Sequence, residues 1–190
     1  YRTAEEKAAA REGAAQSAEP APAAQEPAQE PAAEKPAATT RVLAPAAGEI
    51  VAMEALADPA FSAGALGQAV GVIPEAGEGT VVSPVAGTVI SVAKTGHAYG
   101  IKTADGIEIL VHIGIDTVKM KGEGFEPLVD KKQEVTEGTE LARVNFAAVK
   151  AAGFDPTVIT TVVNTKAMAG VADVADGTVG AGDPVLEVTR

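Results

Sequence analysis

From Val42 to the end of the chain, short runs of β-branched and apolar residues alternate with Gly, Pro and Asp turns. Runs of this length with a period of two mark half-buried strands rather than helices. They predict strands over 42–44, 48–53, 68–73, 80–82, 86–93, 99–103, 107–113, 128–129, 140–144, 158–163, 170–174 and 185–188. Short helical pieces are expected at 62–66 and 146–151. A Rossmann-type α/β fold needs long amphipathic helices, and the sequence offers none. The expected fold class is all-β: an antiparallel hybrid of sandwich and barrel, with short strands and minor helical turns.

The pattern repeats within the chain. Leu43-Ala44-Pro45-Ala46-Ala47-Gly48-Glu49-Ile50-Val51 resembles Val82-Ser83-Pro84-Val85-Ala86-Gly87-Thr88-Val89-Ile90, with Pro84 39 positions after Pro45. Glu137-Gly138-Thr139-Glu140-Leu141 and Gly182-Asp183-Pro184-Val185-Leu186 are weaker echoes. Two readings stand side by side: a pseudo-duplicated β scaffold, or hairpin turns that look alike because turn chemistry is limited. Biotinyl and lipoyl domains share such hairpin signals. Their modified lysine needs a turn signature that Lys166-Ala167-Met168 does not match.

Residues 1–41 break the pattern. They hold 15 Ala, 7 Glu and 5 Pro and no Val, Ile, Leu, Phe or Met. Such a segment cannot bury enough apolar surface to offset its ordering entropy, so it reads as a disordered Ala/Pro/Glu-rich linker or tail. The folded domain is expected over 42–190. Of the 26 acidic and 15 basic side chains, 19 and 10 lie in that domain. The acidic balance argues against nucleic acid and for a basic partner surface. No uncharged apolar run of about 18 residues occurs, so no membrane insertion is expected. The absence of cysteine excludes disulfides, zinc–thiolate sites and a cysteine nucleophile.

Imidazole chemistry falls to His97 and His112, the only histidines. Alternation across 107–113 puts Ile107, Ile109, Val111 and Ile113 on a core face and Glu108, Leu110 and His112 on the other. If 95–99 is extended, Thr95, His97 and Tyr99 share a face. A hairpin centred between Ala104 and Asp105 would set His97 directly opposite His112, within cross-strand reach. A metal pair would lack further ligands unless Glu108 or Asp116 served. Hydrolysis would have only Thr95 as a nucleophile. A phosphoryl carrier needs one nucleophilic imidazole and a second group to hold the phosphoryl oxygens, and it suits the pair best.

These residues resemble the glucose-type EIIA domain of the bacterial phosphoenolpyruvate-dependent sugar phosphotransferase system. The blocks are Ala44-Pro45 with Gly48-Glu49-Ile50-Val51, and Val82-Ser83-Pro84 with Gly87-Thr88-Val89. Thr95-x-His97-Ala98, Leu110-Val111-His112-Ile113-Gly114-Ile115-Asp116-Thr117-Val118, Lys121-Gly122-Glu123-Gly124-Phe125 and Gly182-Asp183-Pro184-Val185 complete them.

The resemblance implies a phosphotransferase component with a phosphohistidine intermediate. A histidine-phosphorylated phosphocarrier protein would donate to His112 through Nε2. An EIIB domain would then receive the group for sugar uptake through the membrane EIIC domain. His97 would be the helper histidine, Thr95 the hydroxyl that orients the pair, and Asp116 the acid beside the site. Phe61 and Asp58 match the docking segment, and Tyr99 and Ile101 flank His97 as further docking candidates. Lys102 departs from the acid that some relatives carry there. Relatives can bind zinc between the two histidines with a partner's carboxylate, but no metal or other cofactor is assigned to this chain. The implied location is the cytoplasm. The tether and the initial Tyr1 leave room for EIIB and EIIC domains fused upstream, which would hold the domain at the inner membrane face. The alternative function is regulatory: binding of permeases or metabolic enzymes through the same face, according to phosphorylation state.

Overall fold

A computed structural model describes residues 38–190; the Ala/Pro/Glu-rich segment lies outside them, apart from its last residues. The first seven strands are β1 (Thr39–Leu43), β2 (Gly48–Ala52), β3 (Gln68–Pro74), β4 (Glu78–Val82), β5 (Gly87–Val92), β6 (Ala98–Lys102) and β7 (Glu108–Ile115). The next seven are β8 (Phe125–Pro127), β9 (Glu134–Val135), β10 (Glu140–Asn145), β11 (Asp155–Val162), β12 (Gly170–Asp173), β13 (Thr178–Val179) and β14 (Pro184–Thr189). All pair antiparallel, in the orders β1-β14-β12, β4-β10-β8 and β13-β2-β3-β11-β7-β6-β5-β9. The all-β, sandwich-like class is thus observed.

Ordered pairing starts at Thr39, opposite Thr189, three residues before the expected boundary. Thr39, Thr40 and Arg41 belong to the domain because β14 supplies their ladder. Strand 128–129 is not formed; β8 lies just before it, where Phe125 is buried. The two-residue strands β9 and β13 are too short to leave a period. Helix α1 is Pro59–Ser62 rather than 62–66. Asp58 caps it, its Oδ1 accepting from Ala60 N–H at 2.7 Å, and Pro59 opens it, so the start lies earlier than the alanine run suggests. Helix α2 is Phe146–Ala151, as expected, with Asn145 Oδ1 accepting from Ala148 N–H.

The duplication is real in the pairing. Leu43 N–H donates to Pro84 O, and Val82 N–H, 39 residues on, donates to Pro45 O. Ala44 N–H donates to Asp183 O as Ser83 N–H does to Thr139 O, and Gly182 N–H donates to Ala44 O as Gly138 N–H does to Ser83 O. The eight-stranded sheet reads as the same series from either end: β13-β2-β3-β11 against β9-β5-β6-β7. The two echoes therefore clasp each other, and turn similarity alone does not account for them. The main core, including Val42, Val81, Val89, Ile109, Val111, Leu141 and Leu186, is buried among these sheets. A smaller cluster of Leu56, Phe61, Ala69 and Ile159 lies apart from it.

Gly48 and Gly87 open equivalent strands because no side chain fits there. A Cβ at Gly48 would lie 2.0 Å from Ile73 O, and one at Gly87 2.3 Å from Lys102 O. Gly48→Ala and Gly87→Ala should each lower the denaturation free energy by about 2 kcal/mol or more. Gly170→Ala, which meets no atom within 4 Å, should stay within about 0.5 kcal/mol of the parent in urea titrations. Equal effects at the three sites would contradict this packing.

Candidate functional site

His112 projects from β7 on the face opposite Ile109, Val111 and Ile113, as the alternation predicts. Its register partner, however, is Ala98, not His97. The turn explains the shift. Thr103 N–H donates to Ile107 O at 2.9 Å and Ile107 N–H to Thr103 Oγ1 at 3.0 Å, which leaves Ala104, Asp105 and Gly106 as a three-residue loop. An odd loop moves the hairpin centre onto Asp105. On strict alternation His97 would then face away from His112. It escapes because it precedes β6 and belongs to a turn whose Gly96 has φ +68°. The imidazoles meet edge-to-face, with ring centroids 5.1 Å apart and an interplanar angle of 77°.

The same register moves two expected docking residues. Tyr99 pairs with Val111 and Ile101 with Ile109, so both point into the main core and are fully buried. Neither offers a side chain to a partner, and Tyr99 does not share the His97 face. Phe61 is also buried, at 3 % exposure, but at the site: its ring centroid is 5.4 Å from that of His112. It forms the wall of the site rather than an exposed contact. Asp58, three residues earlier, is half-buried, and its charge acts on His112.

Hydrogen bonds set each ring. His112 Nδ1 lies 2.8 Å from Gly114 O, a group that can only accept, so Nδ1 carries the proton and Nε2 keeps its lone pair. Thr95 Oγ1 lies 2.5 Å from His97 Nδ1. Asp116 is exposed, in a left-handed conformation, and its Oδ2 is 2.9 Å from Lys119 Nζ. Lys102 is paired with Glu108 across the ladder at 3.0 Å. Among the described residues no group of three or more His, Cys, Asp or Glu could hold a metal ion.

Burial pushes the His112 pKa below the usual imidazole value, against smaller upward effects of the Gly114 bond and the Asp58 charge. Burial, and then the neighbouring His112 charge, also lower that of His97. Both rings are thus held neutral at pH 7, the form in which imidazole is a nucleophile.

Gly114, whose carbonyl accepts from His112 Nδ1–H, is not among the expected site residues, because the use of a backbone acceptor leaves no sequence signal. Leu110 and Ile115 belong to the apolar set beside His112, packed with Val51 and Met53 on the smaller cluster.

The family model for the phosphoenolpyruvate-dependent sugar phosphotransferase system, EIIA 1, matches residues 40–168. The solved structure of glucose permease IIA from Mycoplasma capricolum is 34% identical, with a TM-score of 0.68. That match covers 79% of this chain and 96% of the other.

Two outcomes follow from the electrostatics. Asp58→Asn keeps a capping side chain but removes the charge that favours protonated His112. NMR titration should give a lower His112 pKa in this variant; an unchanged or higher value would contradict the assignment. Both histidine pKa values lie below 6.5 in the folded chain, so the unfolded chain binds more protons at acid pH. Their contribution to stability is therefore constant above about pH 6.5 and declines as pH falls through that value. In His97→Gln/His112→Gln the slope of stability against pH between 7 and 5 should be shallower. An equal slope would contradict the shifts.

Proposed function

The chain belongs to the glucose-type EIIA family of the phosphoenolpyruvate-dependent sugar phosphotransferase system, and we propose that His112 is its phosphoryl acceptor, attacking through Nε2. Phosphoryl transfer within that system is the function the family carries, with a phosphocarrier protein and an EIIB domain as partners. The observation that carries the finer reading is the 2.8 Å bond from His112 Nδ1–H to Gly114 O. It leaves the Nε2 lone pair as the nucleophile without any proton having to move first.

In the first step the N–P bond of the donor's phosphohistidine breaks and a P–Nε2 bond forms at His112. The donor ring recovers its lone pair, and Nδ1–H of His112 stays on the Gly114 carbonyl. In the second step a nucleophilic side chain of EIIB forms a bond to phosphorus as the P–Nε2 bond breaks, and Nε2 of His112 recovers its lone pair. A Thr95 hydroxyl that donates to His97 Nδ1 leaves the proton on His97 Nε2, and this N–H serves as a donor to the phosphoryl oxygens. Phe61 and the apolar side chains around it exclude water, which strengthens that bond and slows hydrolysis of the phosphohistidine. Asp116, exposed beside the site, would repel the incoming phosphoryl group but suits a cationic side chain of a partner. This reading places the domain in the cytoplasm, where phosphoenolpyruvate and the phosphocarrier meet it. Among the described residues no helix is long and apolar enough to cross a membrane.

The test is incubation with phosphoenolpyruvate, the system's first enzyme and its phosphocarrier. The chain should gain one acid-labile phosphoryl group, and His112→Gln should gain none. Transfer retained by that variant would refute the assignment. His97→Gln should still accept but pass the group to EIIB at least tenfold more slowly, the scale of one lost charge-assisted hydrogen bond. The rate of acceptance should be flat from pH 8 to 7, because the His112 pKa is lowered; a midpoint above 7 would contradict a neutral nucleophile.

A further inference from the structure

We infer that Thr117 is a positioning residue for phosphoryl transfer, acting on both histidines through the Ile113–Gly114 backbone; its effect on rate rests on His112 being the acceptor. Thr117 is fully buried at the first position of the 3-10 turn Thr117–Met120. Its hydroxyl donates to Ile113 O at 2.6 Å. Ile113 N–H donates to His97 O at 2.7 Å. The next carbonyl along the chain, Gly114 O, accepts from His112 Nδ1–H. Three main-chain groups of two adjacent residues, Ile113 and Gly114, therefore tie Thr117 to the backbone of one histidine and to the ring of the other.

The Ile113–Gly114 peptide needs such a restraint. Gly114 has φ +73° and no Cβ, so its own torsions barely resist rotation. Gly114 O belongs to the following peptide, joined at the Gly114 Cα, so a turn of the Ile113–Gly114 peptide is passed through that flexible glycine to the carbonyl that selects the His112 tautomer. Thr117 opposes the turn twice. Its hydroxyl holds Ile113 O, and its Cγ2 fills the space beside Gly114, only 2.4 Å from where a Cβ there would lie. Without the hydroxyl, Ile113 O is left in a buried place with one partner fewer, and the peptide can rotate to find another. The His112 ring then samples both neutral tautomers, of which only one presents a bare Nε2.

Ser and Ala at position 117 both lack the methyl and differ by the hydroxyl alone, so their comparison isolates the clamp. The experiment records imidazole 15N shifts of the full-length, unphosphorylated chain, together with the kinetics of phosphoryl acceptance. The parent chain and Thr117→Ser should show His112 protonated at Nδ1 and bare at Nε2. Thr117→Ala should show both tautomers and accept phosphoryl with a kcat roughly tenfold lower, at little-changed KM for the phosphocarrier. Thr117→Val, which keeps the bulk, should resemble Ala; if it does not fold, the Ser–Ala pair decides. Identical His112 tautomer populations in Ser and Ala would overturn the proposal. If the phosphoryl group were found on a residue other than His112, the functional reading would fail while the tautomer comparison still judged the clamp.

Discussion

The proposed chemistry of this domain depends on the bond between His112 Nδ1–H and the Gly114 carbonyl. This bond selects one of two nearly equal tautomers and so decides which nitrogen is nucleophilic. A carbonyl two residues ahead on the same strand cannot reach the ring in extended geometry. It does so here because the chain departs from the ladder at Gly114, in the left-handed region. Alanine could not stand there: its Cβ would meet Thr117 Cγ2 and, at 2.8 Å, Asp155 O. Burial then completes the preparation by keeping the ring uncharged.

The fold contains this arrangement once, although its scaffold occurs twice. In the paired halves of the large sheet, Thr161 stands where His112 does: His112 pairs with Ala98 of β6, and Thr161 with Ala69 of β3. Gln68 takes the place of His97, and Gly67, also at positive φ, that of Gly96. Even the hydroxyl clamp recurs, with Thr165 donating to Val162 O as Thr117 does to Ile113 O. The second half shows what the scaffold supplies without histidines: a turn, a clamp and a buried strand end. What one copy adds is two imidazoles in edge-to-face contact, with Phe61 packed against His112, and the proposed chemistry rests on that addition.

Much of this was legible in the sequence. The alternation from Ile107 to Ile113 gave His112 its face, and the echo at Pro45 and Pro84 announced the duplication. The pairing of the two histidines was reached through a register off by one, since a three-residue and a two-residue hairpin loop differ only in how Gly106 is used. The same error carried Tyr99 and Ile101 to the surface, although the ladder turns them inward. The bonds that orient the two rings were not legible. They depend on left-handed backbone at Gly96 and Gly114 and on contacts between segments far apart in sequence, such as Phe61 with His112.

The nucleophilic nitrogen is identified most directly by the position of phosphorylation on the ring. In the phosphorylated chain, labelled with 15N at histidine, phosphorus–nitrogen coupling should place the phosphoryl group on Nε2 of His112, with Nδ1 still protonated. A phosphoryl group on Nδ1 of His112, or on His97, would contradict that assignment.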